Sequence, residues 1–196
     1  KITVVLPLTG EFRTFPADHF IFMGTALGTV KKTALDEFSN PRKAGIIAVD
    51  LDPGDYLIGA RLTDGRHDVM LFSDGGKAVR FDEEDVRPMG RNARGVRGMM
   101  LDDTQSVIAM LVAEQDETGS AGPVSVLTAT ENGYGKRTSI VEYTRHGRGT
   151  KGMIAIQQTE RNGKVVAATL VRPHDEIMLI TDKGVLVRTR VAEIRE

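Results

Sequence analysis

Residues 131–138 read Glu-Asn-Gly-Tyr-Gly-Lys-Arg-Thr, the nearest approach in the chain to a phosphate-binding loop. A P-loop needs a glycine five positions before Gly135 and a Ser or Thr directly after Lys136. Thr130 and Arg137 stand there instead. A strand is expected to follow, so no helix N-terminus faces a phosphate, and the segment reads as a hairpin with a basic exit strand. Two acidic groups offer themselves to a cation. Asp50, Asp52 and Asp55 lie within 50–55, and Asp82, Glu83, Glu84 and Asp85 form an unbroken run. A calcium loop needs a longer array that closes on a bidentate Glu, so both groups are expected to be turns with solvated carboxylates. His19, His67, His146 and His174 are scattered without metal-ligand spacing, and no metal site is expected. Tyr56, Tyr134 and Tyr143 have no activating base pattern; they read as strand core, hairpin and strand end. There is no Ser-His-Asp signature, and the chain has no Cys, which excludes thiolate zinc sites, Cys nucleophiles and disulfide scaffolds. No catalytic residue is expected.

The remaining chemistry is cationic. Residues 31–43 hold Lys31, Lys32, Arg42 and Lys43 against Asp36 and Glu37. Residues 87–98 hold Arg87, Arg91, Arg94 and Arg97 with no acid. Residues 136–151 hold Lys136, Arg137, Arg145, Arg148 and Lys151 against Glu142 alone. The acids gather elsewhere: Asp50, Asp52 and Asp55; Asp102 and Asp103; Glu114, Asp116 and Glu117; with 82–85 as the exception. Three such bands suit the phosphates of duplex DNA, whose charge density releases counterions on neutralisation, through contacts that position without reading bases. Aromatic residues are only 5% and none alternates with the cations, against a platform that stacks single strands. Ordinary solvation of a surface remains the alternative for any one band.

The elements that would carry these bands repeat. Four segments share a short apolar strand, a turn, a Gly, three residues and a basic residue. The glycines are Gly28, Gly76, Gly133 and Gly184; the basic residues four further on are Lys32, Arg80, Arg137 and Arg188. A second marker follows at Gly45, Gly98 and Gly152. Each basic band lies between the two markers. Apolar runs such as 20–23, 69–72 and 177–180, bounded by turn residues, read as strands buried on both faces. A second strand follows the basic residue, a third opens at the second marker, and a fourth covers 56–62, 106–112 or 165–171. Four strands in about 50 residues is the size of a propeller blade. The expected fold is all-β and propeller-like: a single domain with three full blades at 20–63, 68–117 and 123–172, and partial units at 1–15 and 173–196. Residues 1–8 read as the last strand of an earlier unit. One repeat position maps to one rim of the ring, so the bands should form a basic perimeter. Unpaired strand edges on an incomplete ring should associate.

Length and composition agree. The 196 residues suffice for a packed core, and 26 Lys+Arg balance 27 Asp+Glu. The longest apolar run, 107–113, is far short of a membrane span of about 18 residues. No export signal opens the chain, and its first residue, Lys1, reads as a cut from something longer.

The segments FMGTALGTVKKT, VMLFSDGGKAVRF, LTATENGYGKRT and LITDKGVLVRTRV, with RPMGRNARGVRGM, TKGMIAI and QTERNGKVV between them, closely resemble the C-terminal DNA-wrapping domain of the bacterial DNA gyrase A protein. The likeness runs from about residue 2 to the end. It implies a β-pinwheel, a propeller-like ring whose neighbouring blades exchange strands, which wraps duplex DNA without sequence preference around a basic perimeter. Mapped onto this sequence, the implied DNA contacts are Lys31, Lys32, Arg42, Lys43, Arg80, Arg87, Arg91, Arg94, Arg97, Lys136, Arg137, Arg145, Arg148, Lys151, Arg188 and Arg190. The resemblance further implies a cytoplasmic, chromosome-associated, ATP- and Mg-dependent type II topoisomerase that introduces negative supercoils. In that heterotetramer this domain works beside the gyrase B protein and a second gyrase A protein, with no cofactor bound in this part and no membrane contact. The family's hallmark Gln-Arg-Arg-Gly-Gly-Lys-Gly type segment is missing; no Arg-Gly-Gly occurs in the chain. The topoisomerase IV counterpart has a similar domain without that box; ENGYGKRT and the 87–98 run favour gyrase. A propeller scaffold for a protein or small ligand is the reading from another class.

Overall fold

The computed structural model describes residues 1–8, 15–115 and 124–196; Asp116 and Glu117 lie outside them. Strands β1 (Phe20–Thr25), β2 (Thr29–Ala34) and β3 (Leu57–Thr63) belong to the first repeat. The second holds β4 (His67–Ser73), β5 (Lys77–Asp82), β6 (Val96–Arg97) and β7 (Val107–Glu114). The third holds β8 (Ser125–Thr130), β9 (Gly135–Ser139), β10 (Met153–Ile154) and β11 (Val165–Val171), and the fourth β12 (Glu176–Ile180) and β13 (Leu186–Arg190). A short 3₁₀ turn ends the second strand of each repeat: Leu35–Phe38, Glu83–Asp85, Ile140–Glu142 and Val191–Glu193. The sheets run in the orders β3-β1-β2-β6, β10-β5-β4-β7, β11-β8-β9 and β12-β13. Their named strands pair antiparallel. The architecture is all-β and propeller-like, and neighbouring blades exchange strands. β6 of the second repeat completes the first sheet, pairing Val30 with Val96, and β10 of the third completes the second, pairing Ala78 with Met153.

The glycine markers sit where this exchange is tightest. Gly28 and Gly76 turn at φ +85° and +83°, which L side chains rarely adopt. A Cβ on Gly76 would lie 2.2 Å from the carbonyl oxygen of Ile156, in the next blade. The Gly28 carbonyl accepts from the Gly98 and Met99 N–H groups, and the Gly76 carbonyl from those of Ala155 and Ile156.

Period-two alternation divides the strands between two cores. Val69 and Leu71 of β4 face the first blade, joining Phe22, Val30, Val79, Phe81 and Met110. Met70 and Phe72 face the third, joining Val126, Ile140 and Tyr143. Phe22–Phe81 and Phe72–Tyr143 ring contacts, at 6.4 and 5.9 Å between centroids, bridge consecutive blades. The core between the third and fourth units is smaller: Leu127, Val171 and Val191, with Ile177 and Ile194 against it.

Four expectations fail. Residues 1–8 form no strand, and Ile2 and Val5 are more than 80% exposed. No strand opens at Gly45 either, and β6 ends at Arg97, just before Gly98, so of the second markers only Gly152 opens a strand. The third strands of later repeats are held by the second strand of the repeat before, and no preceding repeat lies among the described residues. Met178, Leu179 and Ile180 of β12 are exposed rather than buried on both faces. Tyr56 is 59% exposed, just outside β3, not strand core.

Candidate nucleic-acid interface

The three basic bands lie partly on strands, with Lys31 and Lys32 on β2 and Lys136 and Arg137 on β9, and otherwise on loops that pack against one another across consecutive blades. Arg91 Nη1 donates to the Ile47 carbonyl at 2.9 Å, and the Asp50 N–H to that of Ala93, joining the loop of the first repeat to that of the second. Arg148 donates from Nη1 to the Arg97 carbonyl (3.1 Å) and from Nε to that of Asp85 (2.9 Å). The Gly149 N–H reaches the Gly98 carbonyl and the Met100 N–H that of Thr150. Residues 42–50, 87–100 and 145–151 therefore make one continuous edge. Along it, Arg42, Lys43, Arg87 and Arg97 are exposed. Lys136 is exposed as well, on β9.

The basic residue four after each first marker behaves differently. Register places Lys32 opposite Phe22, Arg80 opposite Met70, Arg137 opposite Leu127 and Arg188 opposite Met178. Two residues before each of those partners stand Phe20, Asp68, Ser125 and Glu176, diagonal neighbours on the same face. The Lys32 ammonium lies 4.9 Å from the Phe20 ring centroid. Arg80 bonds Asp68 at 2.6 and 2.8 Å, and Arg188 Nε bonds Glu176 at 2.7 Å. Lys32 and Arg80 then extend into the next blade's 3₁₀ turn: Lys32 to the Glu83 carbonyl at 3.1 Å, Arg80 to those of Ile140 and Tyr143 at 2.9 and 3.0 Å. Both are buried, as is Lys31, whose Nζ donates to the carbonyls of Ala48 (2.7 Å) and Arg91. Burial, helped by the nearby Arg91 charge, pulls the Lys31 ammonium down to about 8. These three cations tie blades together and do not face solvent. Arg137 is largely buried and pairs with Glu196 at 3.1 Å.

The acids do not stay apart from the bands. Asp50 and Asp52 hold Arg94 at 3.0 and 2.6 Å, and that double contact raises the guanidinium's affinity for its proton. Asp102 bridges Lys151 at 2.9 Å and Lys77 at 3.0 Å, one ammonium on each oxygen; the Lys151 hydrogen bond first, then that of Lys77, lowers its carboxyl. Arg145 reaches Asp68 (2.7 Å) and Asp82 (3.5 Å), and Arg190 lies 3.9 Å from Glu176. The links of Asp50 and Asp52 to Arg94, and of Asp102 to Lys151, join one blade to the next, so partners more than 40 residues apart in sequence meet. Lys77 had no place in the recurrent pattern, because no other repeat carries a cation directly after its first glycine marker.

The run 82–85 is not a solvated loop throughout. Glu83 is fully buried where the other repeats have Leu35, Ile140 and Val191. Its Oε1 accepts the His67 N–H at 3.0 Å, and His67 Nδ1 lies 3.2 Å from both Glu83 and Asp64. These three residues bring ligand-type atoms within 4.8 Å of one another. Lys32 and Arg66 already flank the group, at 3.9 Å from Glu83 and 2.7 Å from Asp64. A cleft of about 460 Å³ opens between Asn40, Arg42, Ile47, Arg91 and Asn92. Tyr143 is buried, which pushes its hydroxyl up to about 12; it lies beyond a 3₁₀ turn rather than at a strand end. Among the described residues no helix is long and apolar enough to cross a membrane.

The chain is 53% identical over 194 residues to the DNA gyrase A protein of Salmonella typhimurium, and 51% to that of Escherichia coli. In each case 99% of this chain and 21% of the relative are covered, so it spans about a fifth of the length of these relatives. Its fold is similar to the C-terminal domain of DNA topoisomerase IV (TM-score 0.85, 25% identity, covering 95% of this chain and 56% of that one). It is also similar to the DNA gyrase A C-terminal domain (TM-score 0.77, 27% identity, 92% and 58%). The profile of the DNA gyrase C-terminal domain, described as a β-propeller, matches residues 19–64, 67–114, 125–172 and 175–196, most of the sequence. The chain belongs to the DNA gyrase C-terminal domain family.

Proposed function

We propose that this chain holds and bends duplex DNA along its basic edge, without sequence preference, as the accessory domain of a type II topoisomerase of the gyrase kind. The observation that carries the reading is the contact of three basic loops, one per blade, into a single strip. A strip that passes from blade to blade follows the curvature of the ring, and phosphate contacts along it offset the elastic cost of bending, about 1–6 kcal/mol. The exposed cations without a carboxylate partner among the described residues, Arg42, Lys43, Arg87, Arg97 and Lys136, are the first phosphate ligands. Arg91 and Arg148 support them through backbone carbonyls. Lys31, Lys32 and Arg80 act from behind, fixing the angle between blades. In the whole protein the wrapped segment would be handed to a catalytic core elsewhere. That core, with a second gyrase A protein and the gyrase B protein, uses ATP and Mg in the bacterial cytoplasm to add negative supercoils. Sequence identity above 50% to gyrase A proteins supports gyrase over topoisomerase IV. Fluorescence anisotropy against a linear duplex across a salt series tests the reading. Five phosphate contacts give a log–log slope of about −4 to −5; a flat response refutes it.

A further inference from the structure

Asp102 meets Lys77 of its own blade and Lys151 of the next, one ammonium on each carboxylate oxygen, at 3.0 and 2.9 Å. All three side chains are partly or largely exposed. Lys151 lies within the third basic loop, directly after Thr150, whose carbonyl accepts the Met100 N–H of the second. The position is thus on the continuous edge, between two blades. A carboxylate that takes one cation on each oxygen offers the same pattern as the two non-bridging oxygens of a phosphodiester. We propose that Lys77 and Lys151 form an inter-blade phosphate site, and that Asp102 fills it in the free protein as a built-in competitor for the DNA backbone; for its DNA ligand the proposal rests on the function proposed above. The lowered carboxyl of Asp102 and the raised ammonium of Lys151 keep the pair charged at neutral pH. The site therefore opens by exchange of one anion for another. At the preceding blade junction the ratio is reversed, two carboxylates, Asp50 and Asp52, holding one cation, Arg94; what recurs is an acid of one blade on a cation of the next. The acids weaken the strip at each junction, and DNA held there is released more readily.

The substitution Asp102→Asn keeps the shape and removes the charge. In the full 196-residue chain, D102N should bind linear duplex about threefold or more tighter at 50 mM salt. One added phosphate contact steepens its salt slope by about 0.9, so the affinity lost between 50 and 200 mM grows by about 3.5-fold. Adding K77Q and K151Q should cancel the gain. A second arm does not depend on DNA. Millimolar inorganic pyrophosphate should shift the Lys77 and Lys151 side-chain ammonium resonances of D102N at least threefold more than those of the wild type. Equal shifts in the two proteins, or none in either, overturn the site. So does a D102N protein whose duplex affinity and slope match the wild type while both bind. If neither protein binds duplex but the pyrophosphate difference holds, the anion site stands and the DNA reading falls.

Discussion

Replacing Arg80 by Met keeps the aliphatic stem and removes a guanidinium that is 7% exposed and bonded to a fully buried Asp68. The loss is not confined to one ion pair. The Ile140 and Tyr143 carbonyls, in the next blade, lose their donor. Asp68 retains Arg145, at 2.7 Å. Breaking a buried pair by removing one partner costs about 3–5 kcal/mol, and the retained Arg145 places R80M toward the lower end. For a chain of this size each kcal/mol moves the melting temperature by about 2–4 °C, so a drop of about 10 °C is expected. Thermal and urea unfolding followed by circular dichroism measure it. The control is R94M, which removes an exposed guanidinium from Asp50 and Asp52 and should leave the melting temperature close to that of the wild type, because solvent screens an exposed pair. The double variant D68N/R80M should cost less than the sum of its parts by about 2 kcal/mol, since the two groups share one network. If R80M falls within about 1 kcal/mol of the wild type, or matches R94M, the inter-blade role of this position is refuted.

Two further outcomes follow from the same geometry. Gly76→Ala should cost about 2–4 kcal/mol, a positive-φ penalty joined to a clash with the Ile156 carbonyl 2.2 Å away. Gly133→Ala, at φ +81° with nothing near, should cost about 1–2 kcal/mol; equal costs would show that the blade contact adds nothing. Lys31, held at about 8 in the fold against an ordinary 10.5, binds fewer protons folded than unfolded between those values. Its share of stability therefore rises with pH across 8 to 10.5 and is lost as pH falls through 8. Subtracting the pH–stability curve of K31M from that of the wild type should leave this rise, and a flat difference would contradict it.

Much of the architecture was legible because backbone geometry forces residue choice. The first glycine markers recur where the turn needs positive φ, and the doubly buried strand β4 is written as an unbroken apolar run. The side on which a cation falls was not legible. Lys31 and Lys32 look like a solvated pair, but their ammonium groups reach carbonyl oxygens of neighbouring segments. One signal was available: a spacing of 12 separates Arg80 from Asp68 and Arg188 from Glu176, as it does Lys32 from Phe20. The contacts of Asp102 with Lys151 and of Asp50 with Arg94 join residues 49 and 44 apart, with no local pattern to announce them. Glu83 was hidden inside an acidic run; only alignment with Leu35, Ile140 and Val191 marks its position as core.

The most direct measurement is the duplex affinity of R87E/R97E/K136E, three exposed cations without an acidic partner among the described residues, taken from two blades. Titrated with salt beside the wild type, the triple variant should bind far more weakly and lose about 3 from the magnitude of its log–log slope, while its urea midpoint stays unchanged. A folded triple variant that binds duplex as tightly and as salt-sensitively as the wild type would contradict the account.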